Sequence, residues 1–208
     1  MQENHPSTPP AGAIAPSSGP DQQAIDFAHE VFECARRGDA VMLGRLIDKG
    51  LPPNLRNDKG DSLVMLASYH GHAEAVRVLL SKQADPNLSN DNGQLPIAGA
   101  AFKGYRDVIE VLLANGASVD GASADGRTAL MMAAMFNRTE IVDLLIAHGA
   151  NPDATDANGV TALDAAKRMG APATEAQLVA RLATGQKDGT SPAAAAGPGG
   201  DAERTDPA

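Results

Sequence analysis

Four glycines recur at a fixed spacing of 33 residues, and this period constrains the fold more than any other feature of the chain. They are Gly60, Gly93, Gly126 and Gly159. A period of this length is typical of proteins that stack similar structural units, each of which contacts only its neighbours. One such unit cannot bury its apolar face alone, so several copies must stack to form a continuous core. The period therefore predicts a solenoid, a class that presents an extended binding surface.

Other positions of the same 33-residue frame also repeat. In three copies a Ser or Thr follows the glycine by two residues, where its side-chain oxygen can cap a helix. An alanine follows by seven residues, where its small size lets two helices approach closely. A pair of branched residues follows at nineteen and twenty, where it can fill the space between neighbouring units. These residues are Ser62, Thr128 and Thr161; Ala67, Ala100, Ala133 and Ala166; and Leu79-Leu80, Leu112-Leu113, Leu145-Ile146 and Leu178-Val179.

The segment that begins at Gly126 and ends at Ala150 is the clearest copy, and its pattern resembles the ankyrin repeat. In that family a turn precedes two antiparallel helices, and a loop leads to the next turn. The segments 60–72 and 132–138 resemble strings from short bacterial ankyrin repeat proteins. The resemblance implies an all-α solenoid of five stacked helix-turn-helix repeats with a 33-residue period. We expect the repeats at about residues 21–57, 58–90, 91–123, 124–156 and 157–183.

The two terminal copies depart from the frame, as the ends of a stack require. The first copy lacks the turn glycine, and we expect an elongated first helix over residues 21–36 with Asp21 as its cap. The last copy has Thr174 and Glu175 where earlier copies carry apolar pairs. A polar outer face keeps a terminal repeat in contact with water. We therefore expect both side chains to face solvent.

The sequence outside residues 21–183 is poor in large apolar residues. Residues 1–20 are rich in Pro, Ser and Ala, and residues 184–208 are rich in Gly, Ala, Pro and Asp. Neither segment can bury enough apolar surface to offset the entropy of ordering. We expect a disordered tail at each end of one repeat domain. The N-terminal segment also lacks the features of a secretory signal.

Charge and cysteine content limit the partners and the compartment. The net charge is −9, and an acidic chain repels phosphate backbones, so we expect no nucleic-acid partner. No run of 18 apolar residues occurs, so we expect no membrane association. The single cysteine, Cys34, excludes an internal disulfide and fits a reducing cytoplasm. It occupies the alanine position one period before Ala67, so we expect it to be buried. We expect a cytoplasmic monomer.

No motif in the chain points to catalysis, a cofactor or a metal. His70 and His72 flank a glycine, but this spacing matches no zinc pattern, and the resemblance assigns His72 to the turn between two helices. The sequence contains no phosphate-binding glycine loop and no nucleophile elbow. We expect no enzyme activity, no metal and no cofactor.

The resemblance also implies which side chains line the concave groove, namely those nine and ten residues after each turn glycine. None of these ten is acidic, although the chain has 26 acidic residues, and three of its six aromatic residues are among them. Aromatic, Met and Arg side chains are enriched at protein interfaces. Two interpretations stay open and are compatible: a partner-binding surface, and a ladder of Tyr69, Phe102 and Met135 that shields the helices. We call the set the groove strip; its residues are Arg36, Arg37, Tyr69, His70, Phe102, Lys103, Met135, Phe136, Arg168 and Met169.

The chain is thus interpreted as a non-catalytic protein–protein interaction module that binds a partner in its concave groove. The composition of the groove strip favours a partner surface with apolar side chains ringed by carboxylates. One alternative is an accessory factor that supports a stress or redox enzyme such as a catalase, because some similar bacterial proteins are encoded near catalases. Another is an exported effector that binds a host protein.

Overall fold

A computed structural model of the protein describes residues 20–184, which form ten helices. Consecutive helices pack in pairs, and each pair packs against the next. The described part contains no strand, only isolated bridges such as that between Arg56 and Ser62. The prediction of an all-α stack is confirmed. The helices are α1 Pro20–Arg37, α2 Ala40–Asp48, α3 Leu63–Tyr69, α4 Ala73–Ser81, α5 Pro96–Lys103, α6 Arg106–Ala114, α7 Ala129–Met135, α8 Thr139–Ala147, α9 Ala162–Met169 and α10 Pro172–Thr184.

The predicted tails fall almost wholly outside the described residues. Of residues 1–20, only Pro20 is described, and it begins α1. Of residues 184–208, only Thr184 is described, and it ends α10. Within residues 20–184, no helix combines the length and the apolar character needed to cross a bilayer.

The turn before each odd-numbered helix from α3 to α9 is held by one polar side chain at a repeating position. The Asn57 side-chain oxygen accepts hydrogen bonds from the backbone amides of Lys59 and Asp61, at 2.9 and 2.8 Å. Asn90 and Asp156 accept the corresponding bonds one and three periods later. These side-chain bonds imitate a backbone turn.

The turn glycines adopt the left-handed conformation that their spacing predicts. Gly93 has a φ of 72°, and a Cβ added there would lie 2.6 Å from the Cβ of Ala124 in the next turn. A side chain at position 93 would therefore be strained in its own backbone and would also collide with the neighbouring unit.

The three helix caps predicted at Ser62, Thr128 and Thr161 are present. The side-chain oxygens of Ser62, Thr128 and Thr161 accept hydrogen bonds from the backbone amides three residues later. In α5 the preceding residue is Leu95, which makes no side-chain cap bond. Pro96 at the first position suits the start of that helix, because proline has no amide hydrogen to satisfy there.

The core is continuous and is built from small and branched side chains. Ala67, Ala100, Ala133 and Ala166 are all 0% exposed, as their position in the frame predicts. The branched pairs of the central units are buried or half-buried, whereas Val179, in the last copy, is 47% exposed. Fully buried branched side chains contribute about 1.5–3 kcal/mol each relative to exposed ones. Cys34 belongs to this core and is 2% exposed.

Hydrogen bonds between successive loops also repeat at the 33-residue period. The side-chain oxygens of Asn54, Asn87 and Asp120 each accept a bond from the backbone amide 31 residues further on. The donors are Asp85, Ser118 and Asn151. Each bond joins one loop to the next, so the loops are held in the same register as the helices.

Two expectations about the ends of the stack were wrong. Helix α1 begins at Pro20, so Asp21 lies in its first turn and does not precede the helix as a cap. Thr174 does not face solvent: it is fully buried, and its hydroxyl donates to the carbonyl oxygen of Ala134 at 2.7 Å. The hydroxyl is buried because this carbonyl satisfies it. Glu175, the other residue of the pair, is only half-buried.

Candidate functional site

The structure places all ten residues of the groove strip at equivalent points of the helix pairs. In each helix pair, the two consecutive residues that belong to the strip lie at the C-terminal end of the odd-numbered helix. In α1, α5 and α9 both residues belong to the helix, whereas His70 and Phe136 are the residues that cap α3 and α7. The strip is therefore a surface that crosses the whole stack and is built from helix ends that the core holds in place.

Aromatic rings from three successive helix pairs contact one another along this surface. The rings of Tyr69 and Phe102 are nearly parallel, with 6.3 Å between their centroids. Phe102 and Phe136 meet edge to face, with 4.4 Å between their centroids. Tyr69 is 40% exposed and the two phenylalanines are half-buried, so the ring stack is accessible. The three rings form a ladder across these helix pairs, and Phe136 belongs to it in addition to the expected Tyr69 and Phe102.

Lys103 lies over this ring stack. Its ammonium nitrogen is 4.7 Å from the ring centroid of Tyr69 and 5.4 Å from that of Phe102. Such cation–π contacts contribute about 0.5–1 kcal/mol at exposed sites and hold the lysine in one place. Throughout residues 20–184, no carboxylate lies within ion-pair distance of this ammonium group. A positioned and uncompensated positive charge therefore sits beside accessible aromatic rings.

The two arginines at the N-terminal end of the groove strip form ion pairs with glutamates that do not belong to the strip. Arg36 pairs with Glu33, and Arg37 pairs with Glu30 at 2.6 Å. All four residues belong to α1, and the first pair has the three-residue spacing that brings side chains together on a helix. Positive charge at this end of the strip is therefore smaller than the sequence suggested.

His70 adds little charge to the strip at neutral pH. Burial lowers the pKa of its imidazole, and the nearby His72, Arg36 and Lys103 lower this pKa further. Its ring packs edge to face on Tyr69, with 5.7 Å between the centroids.

His72 has a structural partner in the preceding unit. Its Nε2 lies 2.7 Å from the carbonyl oxygen of Arg36, a contact in which that nitrogen donates. The bond joins neighbouring helix pairs, in agreement with a role in the turn between helices. In the described part of the chain, no three side chains of His, Cys, Asp or Glu are grouped as metal ligands.

Arg168 and Met169 lie at the far end of the strip. Both are exposed at the C-terminus of α9, and Met169 is 51% exposed. The structure thus brings Tyr69, His70, Phe102, Lys103 and Phe136 into one cluster of ring and cation contacts.

A pocket of about 500 Å³ adjoins the ring stack and shares two residues with it, Tyr69 and Phe102. Its volume lies in the range of ligand-binding pockets. One side of the pocket is apolar and is formed by residues of α3, α5 and α7, together with the residue that precedes α5. The other side is formed by the turns that precede α5 and α7. The residues from the helical side are Met65, Leu95, Ala98, Gly99 and Met132, and those from the turns are Asn92, Gln94, Ser123, Ala124, Asp125 and Arg127.

This pocket was not predicted from the sequence, because the predicted site comprised only the positions nine and ten residues after each turn glycine. The pocket's helical residues lie two, five and six residues after those glycines. A signal was available: in the third unit these positions hold Leu95, Ala98 and Gly99, all different from the corresponding residues of the neighbouring units.

The charged groups of the pocket's turns compensate one another. Arg127 forms an ion pair with Asp125 at 3.2 Å, and the Ser123 hydroxyl donates to the same carboxylate. The bond from Ser123 is the main reason that the pKa of Asp125 lies below its usual range, and Arg127 lowers it further. Arg56 pairs in the same way with Asp91 in the next turn. These turns therefore present polar groups with little net charge.

Comparisons with known proteins agree with the fold and with the repeat frame. A family model described as ankyrin repeats, in three copies, matches residues 31–123 and 115–188. The chain is also similar to a Pseudomonas aeruginosa protein that is named as an ankyrin repeat protein, with 58% identity over 58 residues. The match covers 28% of this chain and 34% of the relative, so the chain spans about a third of that protein's length.

Proposed function

Because the chain belongs to the ankyrin repeat family, whose repeats generally act as protein–protein interaction modules, we propose that it binds a protein partner through the groove strip and the adjoining pocket. One observation carries this proposal: the ring stack of Tyr69, Phe102 and Phe136 and the 500 Å³ pocket form one accessible surface. The same surface carries the uncompensated charge of Lys103. We propose that the module is non-catalytic.

Preorganisation is the mechanism that this surface supports. The ring-bearing residues lie at the ends of helices whose other faces are buried in a continuous core. Binding to a surface that is already ordered loses little conformational entropy, so more of the contact energy appears as affinity. Aromatic side chains supply large contact areas, and truncation of such anchors typically costs about 2 kcal/mol or more.

The chemistry of the surface favours a partner with apolar side chains ringed by carboxylates. Lys103 and Arg168 make no ion pair with any described residue and are the cations best placed to meet such carboxylates. Arg36 and Arg37 contribute less, since Glu33 and Glu30 already compensate them. The net charge of −9 argues against a nucleic-acid partner.

We further propose that the protein acts in the cytoplasm and as a monomer. A single buried cysteine suits a reducing compartment, where disulfides are rare. Recovery of an oxidoreductase in the experiment below would favour the accessory role. The effector alternative is tested by the same capture from a lysate of host cells, where recovery of a host protein would favour it.

The test is capture from a lysate of the native cell, using the full chain as bait, followed by mass spectrometry and an affinity measurement on the recovered partner. The groove variants are Phe102→Ala and Phe136→Ala. Phe27→Ala is the matched control, because Phe27 is 51% exposed on α1 and lies outside the groove strip. Glu110→Ala in α6 tests the other layer of helices. Circular dichroism must first show that each variant is folded.

The proposal expects Phe102→Ala and Phe136→Ala to weaken binding about thirtyfold or more, which corresponds to about 2 kcal/mol. Phe27→Ala and Glu110→Ala should bind like wild type. A Lys103→Glu change should mainly slow association and alter its dependence on salt. Folded groove variants that bind as well as wild type, together with a weakened Glu110→Ala, would show that the binding site lies elsewhere.

A further inference from the structure

The third unit departs from its neighbours at three positions that all line one pocket. Two residues after the turn glycine, the second and fourth units have the capping residues Ser62 and Thr128, whereas the third has Leu95. Five and six residues after that glycine, the neighbours have long side chains, and the third unit has Ala98 and Gly99. The long side chains are Met65-Leu66 and Met131-Met132.

The fold does not require the glycine at position 99. Gly99 lies inside α5 and has an ordinary helical backbone, without the positive φ that would favour glycine. A Cβ added there would meet only the Tyr69 ring, at 3.4 Å, which is an ordinary contact distance. Glycine is the poorest helix former after proline, so Gly99 destabilises α5, and no feature of the backbone requires it there. Local departures of this kind are expected at functional sites.

The missing side chains create the pocket next to the ring stack. Ala98 and Gly99 leave open the space that methionine and leucine side chains would occupy, and Met65 and Met132 of the neighbouring units line it. Leu95, which is 9% exposed, gives up the helix cap and contributes apolar lining instead. All three residues thus have the same effect: they help to form an apolar recess in the middle of the stack.

Polar groups at the rim indicate what kind of chain would lie there. The Lys103 ammonium group is held over the Tyr69 and Phe102 rings, and both rings line the pocket. On the opposite side, the side-chain amide of Asn92 makes no hydrogen bond to any residue between 20 and 184 and is available to a backbone amide or carbonyl. A positive charge with no carboxylate partner is complementary to an acidic residue beside the apolar anchor.

We propose that the pocket at Ala98 and Gly99 is the anchor site for one branched aliphatic or aromatic side chain of an extended acidic segment of the partner. A carboxylate within two residues of the anchor pairs with Lys103. Successive residues of an extended chain rise by about 3.3 Å, so this spacing keeps the carboxylate close to the anchor. This inference rests on the proposed function and names the feature of the partner that the groove recognises.

The experiment uses the full chain and a phage-displayed library of random dodecapeptides as the probe. Enriched peptides are expected to share one large apolar residue with Asp or Glu within two positions. The affinity of one enriched peptide is then measured for wild type and for two variants that fill the pocket. Ala98→Met introduces the residue found at positions 65 and 131, and Gly99→Ala adds a single methyl group.

Gly99→Ala gives the sharpest outcome, since it should raise stability and lower affinity together. The melting temperature should rise by about 2–3 °C, because alanine is the better helix former. The peptide should bind about tenfold more weakly, because the methyl group crowds its anchor side chain. Ala98→Met should weaken binding at least thirtyfold. Gly99→Ala also keeps the inference testable if Ala98→Met does not fold.

The role of Lys103 is tested by a double-mutant cycle. Lys103→Met keeps the aliphatic stem and removes the charge, and the peptide's Asp or Glu is replaced by its amide. Each change alone should weaken binding about fivefold, and the two together should cost no more than either one. Additive losses would show that the carboxylate pairs with another group, and that part of the inference would be wrong.

The outcomes separate this inference from the proposed function. A peptide that binds Gly99→Ala and Ala98→Met as tightly as wild type, but is weakened by Phe136→Ala, would overturn the anchor site and leave the groove as a binding surface. Failure to enrich peptides that share one large apolar residue would also overturn the anchor site, while capture of the cellular partner tests the groove independently. Enrichment of apolar peptides without acids would contradict the role of Lys103.

Discussion

Replacement of Ser68 by alanine should stabilise this protein, although Ser68 is completely buried. Its side chain is 0% exposed in α3, and within residues 20–184 the hydroxyl oxygen has no hydrogen-bond partner. The corresponding position holds Ala35, Ala101 and Ala134 in three other units, each also 0% exposed. An alanine therefore fits this space in the same local fold, and the hydroxyl group of Ser68 is a buried polar group without compensation.

The size of the effect follows from two contributions. A buried hydroxyl group without a partner costs about 1–3 kcal/mol. Alanine is also the better helix former, by about 0.5 kcal/mol. Because removal of the oxygen leaves a small void that offsets part of this gain, we expect the free energy of unfolding to rise by about 1–2 kcal/mol. For a folded unit of this size, the melting temperature should rise by about 3–6 °C.

Thermal and urea unfolding followed by circular dichroism measure this change, with Ser81→Ala as the matched control. Ser81 is exposed at the end of α4, and its hydroxyl donates to the carbonyl oxygen of Val78 at 2.7 Å. The control should change stability by less than about 0.5 kcal/mol. An unchanged or lower stability of Ser68→Ala would contradict this prediction, because it would mean that the hydroxyl group is satisfied in solution.

Two further predictions concern the core. Ala133→Leu should destabilise the protein by about 1–3 kcal/mol, because Ala133 is 0% exposed and three added carbons would overpack the contact between helices. Ala147→Leu, at an exposed position of α8, is the control, and equal melting temperatures of the two variants would contradict this packing. Cys34 should resist a thiol reagent until denaturant is added, because it is only 2% exposed. Burial, aided by the Glu30 carboxylate, also raises the pKa of its thiol and so disfavours the reactive thiolate. Rapid labelling of the native protein would contradict this burial.

The repeating part of the fold could be predicted because each position of the frame has a local physical requirement. A turn with positive φ requires glycine, a helix start favours Ser or Thr, and a close contact between helices requires alanine. Gly93, Thr128 and Ala100 meet these requirements in the structure as their positions predicted. The period then places every copy in the same environment.

The parts that the frame did not predict depend on contacts between units. Thr174 was expected to face solvent because it is polar, but a carbonyl 40 residues away satisfies its hydroxyl. The pocket arises where one unit departs from the shared pattern at Ala98 and Gly99, so a method that looks for agreement between copies overlooks it. The compensation of Arg36 by Glu33, by contrast, could have been inferred from their spacing on one helix.

Hydrogen–deuterium exchange on the complex with the captured partner tests the central claim most directly. Exchange in the complex should be slower at the ends of α3, α5 and α7, within residues 65–70, 98–103 and 131–136. Exchange in α4, α6 and α8, the second helices of the same pairs, should change little. Protection confined to these second helices, with the ring stack and the pocket exchanging as in the free protein, would contradict the claim that the partner binds in the groove.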